Sequence, residues 1–275
     1  MAADDIKSMQ LYPRPERILN DLSNLGISPN DPVSIDVLTQ FDQLHYHGTD
    51  ALDAAIAACG ITAGQSVLEV GSGWGGCARY IAHASGAHVT AIELQTDYHD
   101  VASDLTRRAG LSDHVTHVNS DFLDWSMSDG DYDKVVSWLA LFHIPHRDTY
   151  LSRIARALKP GGALFAEDLY LIAAPPAEEA EDFQRHLFPN SLVPLDTYEA
   201  SLESAGLELR TADDMTSDWT HFTQDRLEAF RKNRSGYETV HGADGYAVIE
   251  TFYTKMASYF ERGLVGGLRL HATRS

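Results

Sequence analysis

The sequence predicts one α/β domain built on a mostly parallel sheet, and two observations lead to this prediction. Apolar runs of strand length alternate with stretches of helical periodicity through the middle of the chain, and a glycine-rich turn separates the first run from the helix after it. Alternating strands and helices form parallel sheets with right-handed crossovers. The predicted strands cover residues 66–70, 88–94, 114–118, 134–139 and 162–168, and the helices between them cover 75–84, 97–109 and 147–158.

Two flanks are predicted around this core. Residues 1–60 form an N-terminal helical cap segment, and residues 61–275 form the main domain. The stretch Lys159-Pro-Gly-Gly162 predicts the end of a helix and a turn into the next strand. A late strand near 207–212 is expected to pair with one near 266–273, across a helical lid insertion of about 214–263.

Composition narrows the range of functions. The chain has 275 residues, 44% of them hydrophobic, which is enough for a sizeable core. Its formal net charge of −19 argues against nucleic acid and anionic membrane surfaces as partners. Two cysteines without metal-ligand spacing, no signal-peptide pattern at the N-terminus and no long apolar run predict a cytoplasmic protein outside the membrane. The oligomeric state is not predictable from the sequence.

The turn after the first strand predicts a nucleotide-like ligand. Gly71 and Gly73 give the backbone the freedom that close approach to a ligand requires, and a helix start follows them. Glu69 lies two residues before the turn, where a carboxylate would repel the diphosphate of NAD and would suit a cationic ligand better. Glu93 ends the second strand, where a carboxylate binds ribose hydroxyls in nucleotide-binding α/β folds.

These motifs resemble a known series. Residues 67–76, 91–95, 121–122, 134–143 and 158–162 are similar, in order and spacing, to the motifs of class I S-adenosylmethionine-dependent methyltransferases. The resemblance covers roughly residues 60–170 and implies a Rossmann-like, seven-stranded, mostly parallel sheet with helices on both faces. Residues 41–48 and 261–268 are more loosely similar to small-molecule methyltransferases of the sarcosine/dimethylglycine type.

The resemblance implies a set of S-adenosylmethionine contacts. Asp121 matches the position that accepts from the adenine amino group, with Phe122 beside the ring, although a carboxylate in such a loop could instead cap a helix. Leu94 follows the ribose-binding Glu93, and Ser137, near the end of the fourth strand, is expected beneath the methionine part. With Glu69, Gly71, Gly73 and Glu93, these residues form the predicted cofactor site.

Three further residues are candidates for the acceptor side. His143 stands where similar enzymes face the acceptor and could take a proton from it, or could be a structural histidine at a turn. In similar enzymes a tyrosine from the segment before the core closes over the donor, so Tyr46 is the preferred contact, with His45 beside it. Adjacent residues seldom share one ion, so no metal site is predicted at this cluster.

Carboxylates and a tryptophan complete the candidates. Glu167 and Asp168 end the fifth strand, where they could attract or position a cationic acceptor. Together with His143 they could form a divalent-metal site, but the ligand set is incomplete and none is predicted. Trp219 could stack on a methylated cation or hold the lid from within the core.

The sequence therefore predicts methyl transfer from S-adenosylmethionine to a small polar molecule. A sarcosine- or dimethylglycine-like amine is the preferred acceptor. S-methylation of a thioether or thiol acid, C-methylation of a lipid-like acceptor and a catalytically silent S-adenosylmethionine sensor are the alternatives. A nicotinamide-dependent oxidoreductase would share the glycine turn, but Glu69 and the Leu158–Gly162 element favour the methyl donor.

Overall fold

A seven-stranded sheet runs through the molecule, in a computed structural model that describes residues 14–275. The strand order is β3-β2-β1-β4-β5-β7-β6, with β7 antiparallel to both neighbours and the first five strands parallel. The predicted fold class is confirmed. The strands are β1 (Ser66–Val70), β2 (His88–Glu93), β3 (Val115–Asn119), β4 (Tyr132–Trp138), β5 (Leu158–Leu171), β6 (Leu207–Asp214) and β7 (Val265–Arg274).

Helices cover both faces of the sheet. In chain order they are α1 (Arg17–Asn24), α2 (Ile35–Leu38), α3 (Thr49–Cys59), α4 (Gly76–Ser85), α5 (Thr96–Arg108), α6 (Arg147–Ala157), α7 (Ala180–Leu187), α8 (Leu195–Ser204), α9 (Thr216–Lys232) and α10 (Arg234–Glu261). Short 3-10 turns occur at Leu141–His143 and Ala177–Glu179. Helices α9 and α10 fill the connection between β6 and β7, where the sequence predicts a lid. Residues 1–13 of the predicted cap segment, and with them the predicted absence of a signal peptide, lie outside the described residues.

The strand sequences explain why both faces of the sheet are apolar and covered by helices. Successive side chains of a strand point to opposite sides, and strands covered on both sides are apolar throughout. Val136 and Phe165 pack in the cluster beneath α3 and α4, whereas their neighbours Val135 and Leu164 pack in the cluster beneath α6 and α8. A third cluster joins the lid helices to the segment before α3, around Trp219 and its neighbours.

The stretch at the start of β5 differs from the prediction. Helix α6 ends at Ala157, and residues 158–162 already belong to the strand rather than to a separate turn. Leu158 pairs with Tyr132, and the register shifts before the next pair, at Lys134 and Ala163. A bulge with Gly161 at φ +74° accommodates the extra residues.

The strand order places a crevice at one end of the sheet. The chain leaves β1 toward β2 and β3 and then returns to β4 on the other side of β1. Ligands of open α/β sheets bind outside the carboxyl ends of the strands where the order reverses in this way. The glycine turn after β1 and the loop after β4 meet at that point.

Candidate active site

The largest feature at this reversal is a cleft of about 890 Å³, including its opening to solvent, which is called the main cleft below. Its walls come from the loops after β1, β2, β3 and β4 and from the segment before α3. The lining residues are Leu44, Val70, Gly71, Gly73, Ile92, Glu93, Leu94, Gln95, Tyr98, Ser120, Asp121, Phe122, Trp138, Leu139, Ala140, His143 and Ile144.

The glycine turn forms the floor of the main cleft. Gly71 has φ +79°, and a Cβ there would lie 2.3 Å from the Cβ of Ala140, so only glycine fits between the two loops. Gly73 has φ +50° and donates its N–H to Glu93 Oε2 at 2.7 Å. The turn is thus tied to the end of the neighbouring strand.

Glu93 connects the turn to the loop after β2. Its second oxygen, Oε1, accepts from the N–H of Gln95 at 2.8 Å. Burial raises the pKa of Glu93, although the hydrogen bonds from Gln95 and Gly73 oppose the rise. Backbone contacts fix the carboxylate in orientation and leave it on the wall of the cleft, as a partner for sugar hydroxyls should be.

The loop after β3 gives the cleft an apolar wall with one carboxylate. Phe122 is buried, and Leu94 faces the same cleft. Asp121 Oδ1 accepts from the N–H of Leu123 at 2.8 Å within a turn. No helix begins there, so the helix cap considered from the sequence is not formed. Asp121 also lines the cleft. These residues offer apolar surface for a planar ring and an acceptor for an amino group.

Glu69 lies elsewhere than predicted. Its side chain is 2% exposed and does not line the main cleft, because it faces the start of α4. There the carboxylate accepts from the Cys77 thiol and the Ala78 N–H. Burial raises the pKa of Glu69 to about 8, because these two hydrogen bonds and the charge of Arg79 only partly offset the loss of solvent.

Ser137 also lies outside the main cleft. Its hydroxyl is buried and donates to the carbonyl oxygen of Val70 at 2.8 Å, which links β4 to β1. The next three residues, Trp138 to Ala140, line the cleft instead. The sequence placed Trp138 and Leu139 in the same segment as Ser137, beneath the methionine part of the donor, whereas Ala140 was not singled out. Leu139 has φ +52°, which is uncommon for a residue with a side chain and aims the loop across the cleft.

His143 lines the main cleft from the 3-10 turn after β4. Its Nδ1 donates to the carbonyl oxygen of Phe188 at 3.0 Å, so the neutral ring carries its acceptor lone pair on Nε2. Burial lowers the pKa of His143 to about 4. The ring is therefore uncharged at neutral pH, and both roles considered from the sequence, structural and proton-accepting, are compatible with its position.

Asp168 is buried behind this turn and does not line the main cleft. Its Oδ2 accepts from the hydroxyl of Tyr198 at 2.9 Å, and its Oδ1 accepts from the N–H of Phe142 at 3.3 Å. Burial raises the pKa of Asp168 to about 6, with the charge of Arg147 opposing the rise. The predicted catalytic role is thus replaced by a positioning role, since Asp168 holds the turn that carries His143.

The remaining acceptor-side candidates are also engaged within the protein. Glu167 Oε1 accepts from Nε and Nη2 of Arg269, at 2.7 and 2.6 Å. His45 is buried, its Nε2 lies 2.8 Å from Gln43 Oε1, and burial lowers its pKa to about 4. Trp219 is 0% exposed and packs on Gly267, so it holds the lid to β7 rather than facing a ligand.

Tyr46 lies in the lid core next to the cleft rather than over it. Its ring contacts Trp219 at a centroid distance of 4.9 Å and Phe222 at 5.3 Å. Burial raises the pKa of Tyr46 to about 12. Leu44, two residues earlier in the same 41–48 segment, is the residue of this segment that lines the main cleft, although the sequence did not single it out.

A small apolar cavity, called the inner pocket below, adjoins the main cleft. It has a volume of about 320 Å³, including its opening to solvent, of which a water molecule can enter only about 20 Å³. Leu44 and Leu139 line both spaces. Because they share these two walls, a molecule in the inner pocket lies beside the main cleft. The inner pocket is lined by Leu44, Tyr46, Leu139, Phe142, Leu169, Leu187, Arg226, Phe252 and Met256.

Among residues 14–275, no group of three or more His, Cys, Asp or Glu side chains is arranged to hold a metal ion. Within the same range, every helix is too short or too polar to cross a membrane.

The class of protein follows from the strand order, the glycine turn and the carboxylate of Glu93, which is placed to bind ribose hydroxyls. The main cleft fits S-adenosylmethionine, because it offers a close backbone approach at Gly71 and Gly73, a fixed carboxylate at Glu93 and an apolar wall at Phe122. The fold and the cleft are those of the class I S-adenosylmethionine-dependent methyltransferases. Residues 39–268 match the family model described as mycolic acid cyclopropane synthetase, and the chain belongs to that family.

Named relatives match part of the chain. Methyltransferase GfsG of Streptomyces halstedii is 30% identical over 189 residues, 68% of this chain and 66% of the relative. The 27-O-demethylrifamycin SV methyltransferase of Amycolatopsis mediterranei is 31% identical over 179 residues, which are 62% of this chain and 65% of the relative. Sterol 24-C-methyltransferase ERG6B of Gibberella zeae is 29% identical over 208 residues, and the match covers 68% of this chain and 55% of the relative. The chain thus spans just under two thirds of the length of the first two relatives.

Solved structures share the fold at low identity. A sarcosine dimethylglycine methyltransferase-like protein of Galdieria sulphuraria superposes with a TM-score of 0.71 and 18% identity, covering 82% of this chain and 84% of that one. Phosphoethanolamine N-methyltransferase 2 of Haemonchus contortus, solved with S-adenosylhomocysteine, superposes with a TM-score of 0.82 and 19% identity, covering 100% and 61%.

Replacing Glu93 by alanine is expected to weaken cofactor binding. The change removes the charged acceptor for the ribose hydroxyls and frees the Gly73 turn, so the Kd for S-adenosylhomocysteine should rise by at least about 30-fold. Isothermal titration calorimetry measures this directly. Asp100→Ala, on the exposed side of α5, is the matched control and should leave the Kd unchanged. Equal affinities for Glu93→Ala and the parent would exclude the ribose role.

Glu69 is expected to make stability depend on pH. The unfolded chain releases this proton near pH 4.5, whereas the folded protein keeps it until about pH 8, so raising the pH through that window favours unfolding. Glu69→Gln is uncharged in both states. The free energy of unfolding of Glu69→Gln, measured in urea, should therefore increase relative to that of the parent as the pH rises from 5 to 8. The exposed control Glu181→Gln should follow the parent at every pH, and a constant difference for Glu69→Gln would contradict the assignment.

Proposed function

We propose that the acceptor methylated by this protein is a small molecule whose reacting part is apolar, of a lipid-, isoprenoid- or polyketide-like kind. The single observation behind this proposal is the inner pocket. Seven of its nine lining residues have aliphatic, thioether or phenylalanine side chains, and the other two are Tyr46 and Arg226. An apolar wall beside the main cleft favours burial of an apolar acceptor, which gains free energy in proportion to the area it removes from water.

The amine preferred from the sequence has less support. A cationic acceptor buried in such a pocket requires an anionic partner, because burying an unpaired charge is costly. Within the described residues, no carboxylate lines the inner pocket, and both carboxylates that were expected to serve are occupied. Glu167 is paired with Arg269, and Asp168 is bonded to Tyr198. The positive charge of Arg226 further disfavours a cationic acceptor.

Names among the relatives are consistent with an apolar acceptor. The family model is named for mycolic acid, and the printed names of two relatives refer to a sterol and to a rifamycin. These names describe those proteins, and they support the proposal only as the range of acceptors found on related chains.

The residues of this chain perform few chemical steps in such a reaction. S-adenosylmethionine supplies the methyl group, and its transfer is an in-line displacement that depends mainly on position. Leu44 and Leu139 line both spaces and therefore flank the junction where donor and acceptor would meet. We propose that His143, uncharged at neutral pH, receives the proton that the acceptor loses. Asp168 fixes the turn that carries His143.

The proposal is tested by incubating the protein with S-adenosylmethionine and matched acceptors, and by following S-adenosylhomocysteine and methylated product by mass spectrometry. The panel contains oleate, geraniol and a hydroxylated macrolactone against sarcosine, dimethylglycine, a thioether and a thiol acid. Product is expected from the apolar group. Faster methylation of sarcosine or dimethylglycine would contradict the proposal and favour an amine acceptor. Cofactor binding without any product would favour a catalytically silent S-adenosylmethionine sensor.

His143 is expected to act through Nε2. Asparagine at this position retains a donor near Nδ1 for the Phe188 carbonyl but loses Nε2, so His143→Asn should lower kcat by about 100-fold or more with little change in cofactor Kd. Single-turnover kinetics and calorimetry separate the two effects. His221→Asn, where Nδ1 also contacts a backbone carbonyl, is the exposed control. Retention of full kcat by His143→Asn would assign His143 a structural role.

A further inference from the structure

A second, larger cavity opens beyond the inner pocket and is called the outer cavity below. It has a volume of about 1260 Å³, including its opening to solvent, and lies among α1, α7, α9 and α10. Its lining residues are Arg17, Gln43, Leu44, Tyr98, Arg185, His186, Arg226, Ala247, Val248, Ile249, Thr251, Phe252 and Tyr253.

The outer cavity adjoins the inner pocket. Leu44, Arg226 and Phe252 line both spaces and form the boundary between them. Val248 and Ile249 of α10 extend the apolar wall outward. The apolar surface therefore leads from the main cleft to a region where guanidinium groups collect.

Arg226 is the first of these groups. Its guanidinium lies over the rings of Tyr253 and Tyr46, with centroid distances of 4.3 and 5.0 Å. No carboxylate among residues 14–275 forms an ion pair with it, and its buried Nε has no hydrogen-bond partner there. This nitrogen is therefore a donor that no acceptor of the described chain satisfies.

Arg17 is the second. It donates from Nη1 to the hydroxyl of Tyr237 at 3.5 Å and lies over the Trp74 ring, and it also forms no ion pair within the described chain. Other arginines of α7 and the lid behave differently. Arg185 pairs with Glu181, and Arg231 pairs with Glu250. Arg17 and Arg226 therefore bring two guanidinium groups to one cavity without an ion pair to any carboxylate of the described residues.

We propose that the outer cavity binds an anionic group, carboxylate or phosphate, of the same acceptor whose apolar part lies in the inner pocket. Arg226 and Arg17 are the residues that recognise it. A guanidinium presents a planar fork of donors that matches both kinds of oxyanion, and its bonds to an anion are stronger than neutral ones. This inference rests on the proposed function, because it assigns the second half of the same substrate.

The test measures binding of three probes with the same ten-carbon chain, in the presence of S-adenosylhomocysteine and below their micelle concentrations. The probes are decanoate, decyl phosphate and decan-1-ol, and isothermal titration calorimetry gives each Kd. The anionic probes should bind at least about tenfold more tightly than the alcohol. The ratio between decanoate and decyl phosphate then distinguishes the two kinds of anion.

Substitutions locate the anion. Arg226→Gln and Arg17→Gln should each weaken binding of the preferred anionic probe by about tenfold or more and leave decan-1-ol within about twofold. Arg231→Gln, on the same helix as Arg226 but paired with Glu250, is the matched control and should change neither. If Arg226→Gln does not fold, Arg226→Lys keeps the charge and should retain a reduced preference for the anion.

The outcomes separate the two proposals. If the alcohol and the anions bind equally, or if the arginine variants lose nothing, the anionic subsite is wrong while an apolar acceptor stands. If none of the three probes binds and no apolar acceptor yields product, the proposed function itself fails.

Discussion

One buried ion pair holds the segment that contributes a wall residue to all three cavities. Arg79 Nη2 lies 2.8 Å from Asp42 Oδ2, and both side chains are almost fully excluded from solvent. Such a pair is stable only if its remaining groups are satisfied. Arg79 also bonds to the Ala102 carbonyl and the Thr106 hydroxyl, and Gly76 leaves space for Asp42, since a Cβ there would lie 2.5 Å from the Asp42 carbonyl oxygen. Two residues after Asp42 comes Leu44, which lines the main cleft, the inner pocket and the outer cavity.

A second network holds the opposite wall. Asp168 anchors the turn that carries His143, and Arg147 supports the same region by donating to the carbonyl oxygen of Ser191. Ser191 in turn donates its hydroxyl to the carbonyl oxygen of Leu141. Buried polar networks of this kind fix one geometry, because a broken member would leave its partners unsatisfied. Burial raises the pKa of Asp168, and its hydrogen bonds from Tyr198 and from the N–H of Phe142 tie the carboxylate into this network.

The sequence predicts the parts of the site that depend on backbone. Gly71, Gly73 and Glu93 follow from a local pattern at a strand end, and they line the main cleft together. The side-chain predictions were less accurate, because successive residues of a strand face opposite sides and a motif does not say which side a ligand uses. Ser137 therefore lies behind the cleft whose wall is formed by Trp138, and Asp168 lies on the other face from Glu167.

Residues contributed by distant segments were the hardest to predict. Leu44 is one apolar residue in a segment without periodicity, and only the Asp42–Arg79 contact between regions far apart in sequence gives it a role. The net charge of the chain likewise does not show which charged side chains form ion pairs. A value of −19 predicts the absence of polyanionic partners, yet the charge of a cavity depends on which cations lack a neighbouring carboxylate. Arg226 is such a cation, since aromatic rings rather than acids surround it, and aromatic faces stabilise a guanidinium without neutralising it. A cavity of this kind can attract one anionic group even though the protein as a whole repels anions.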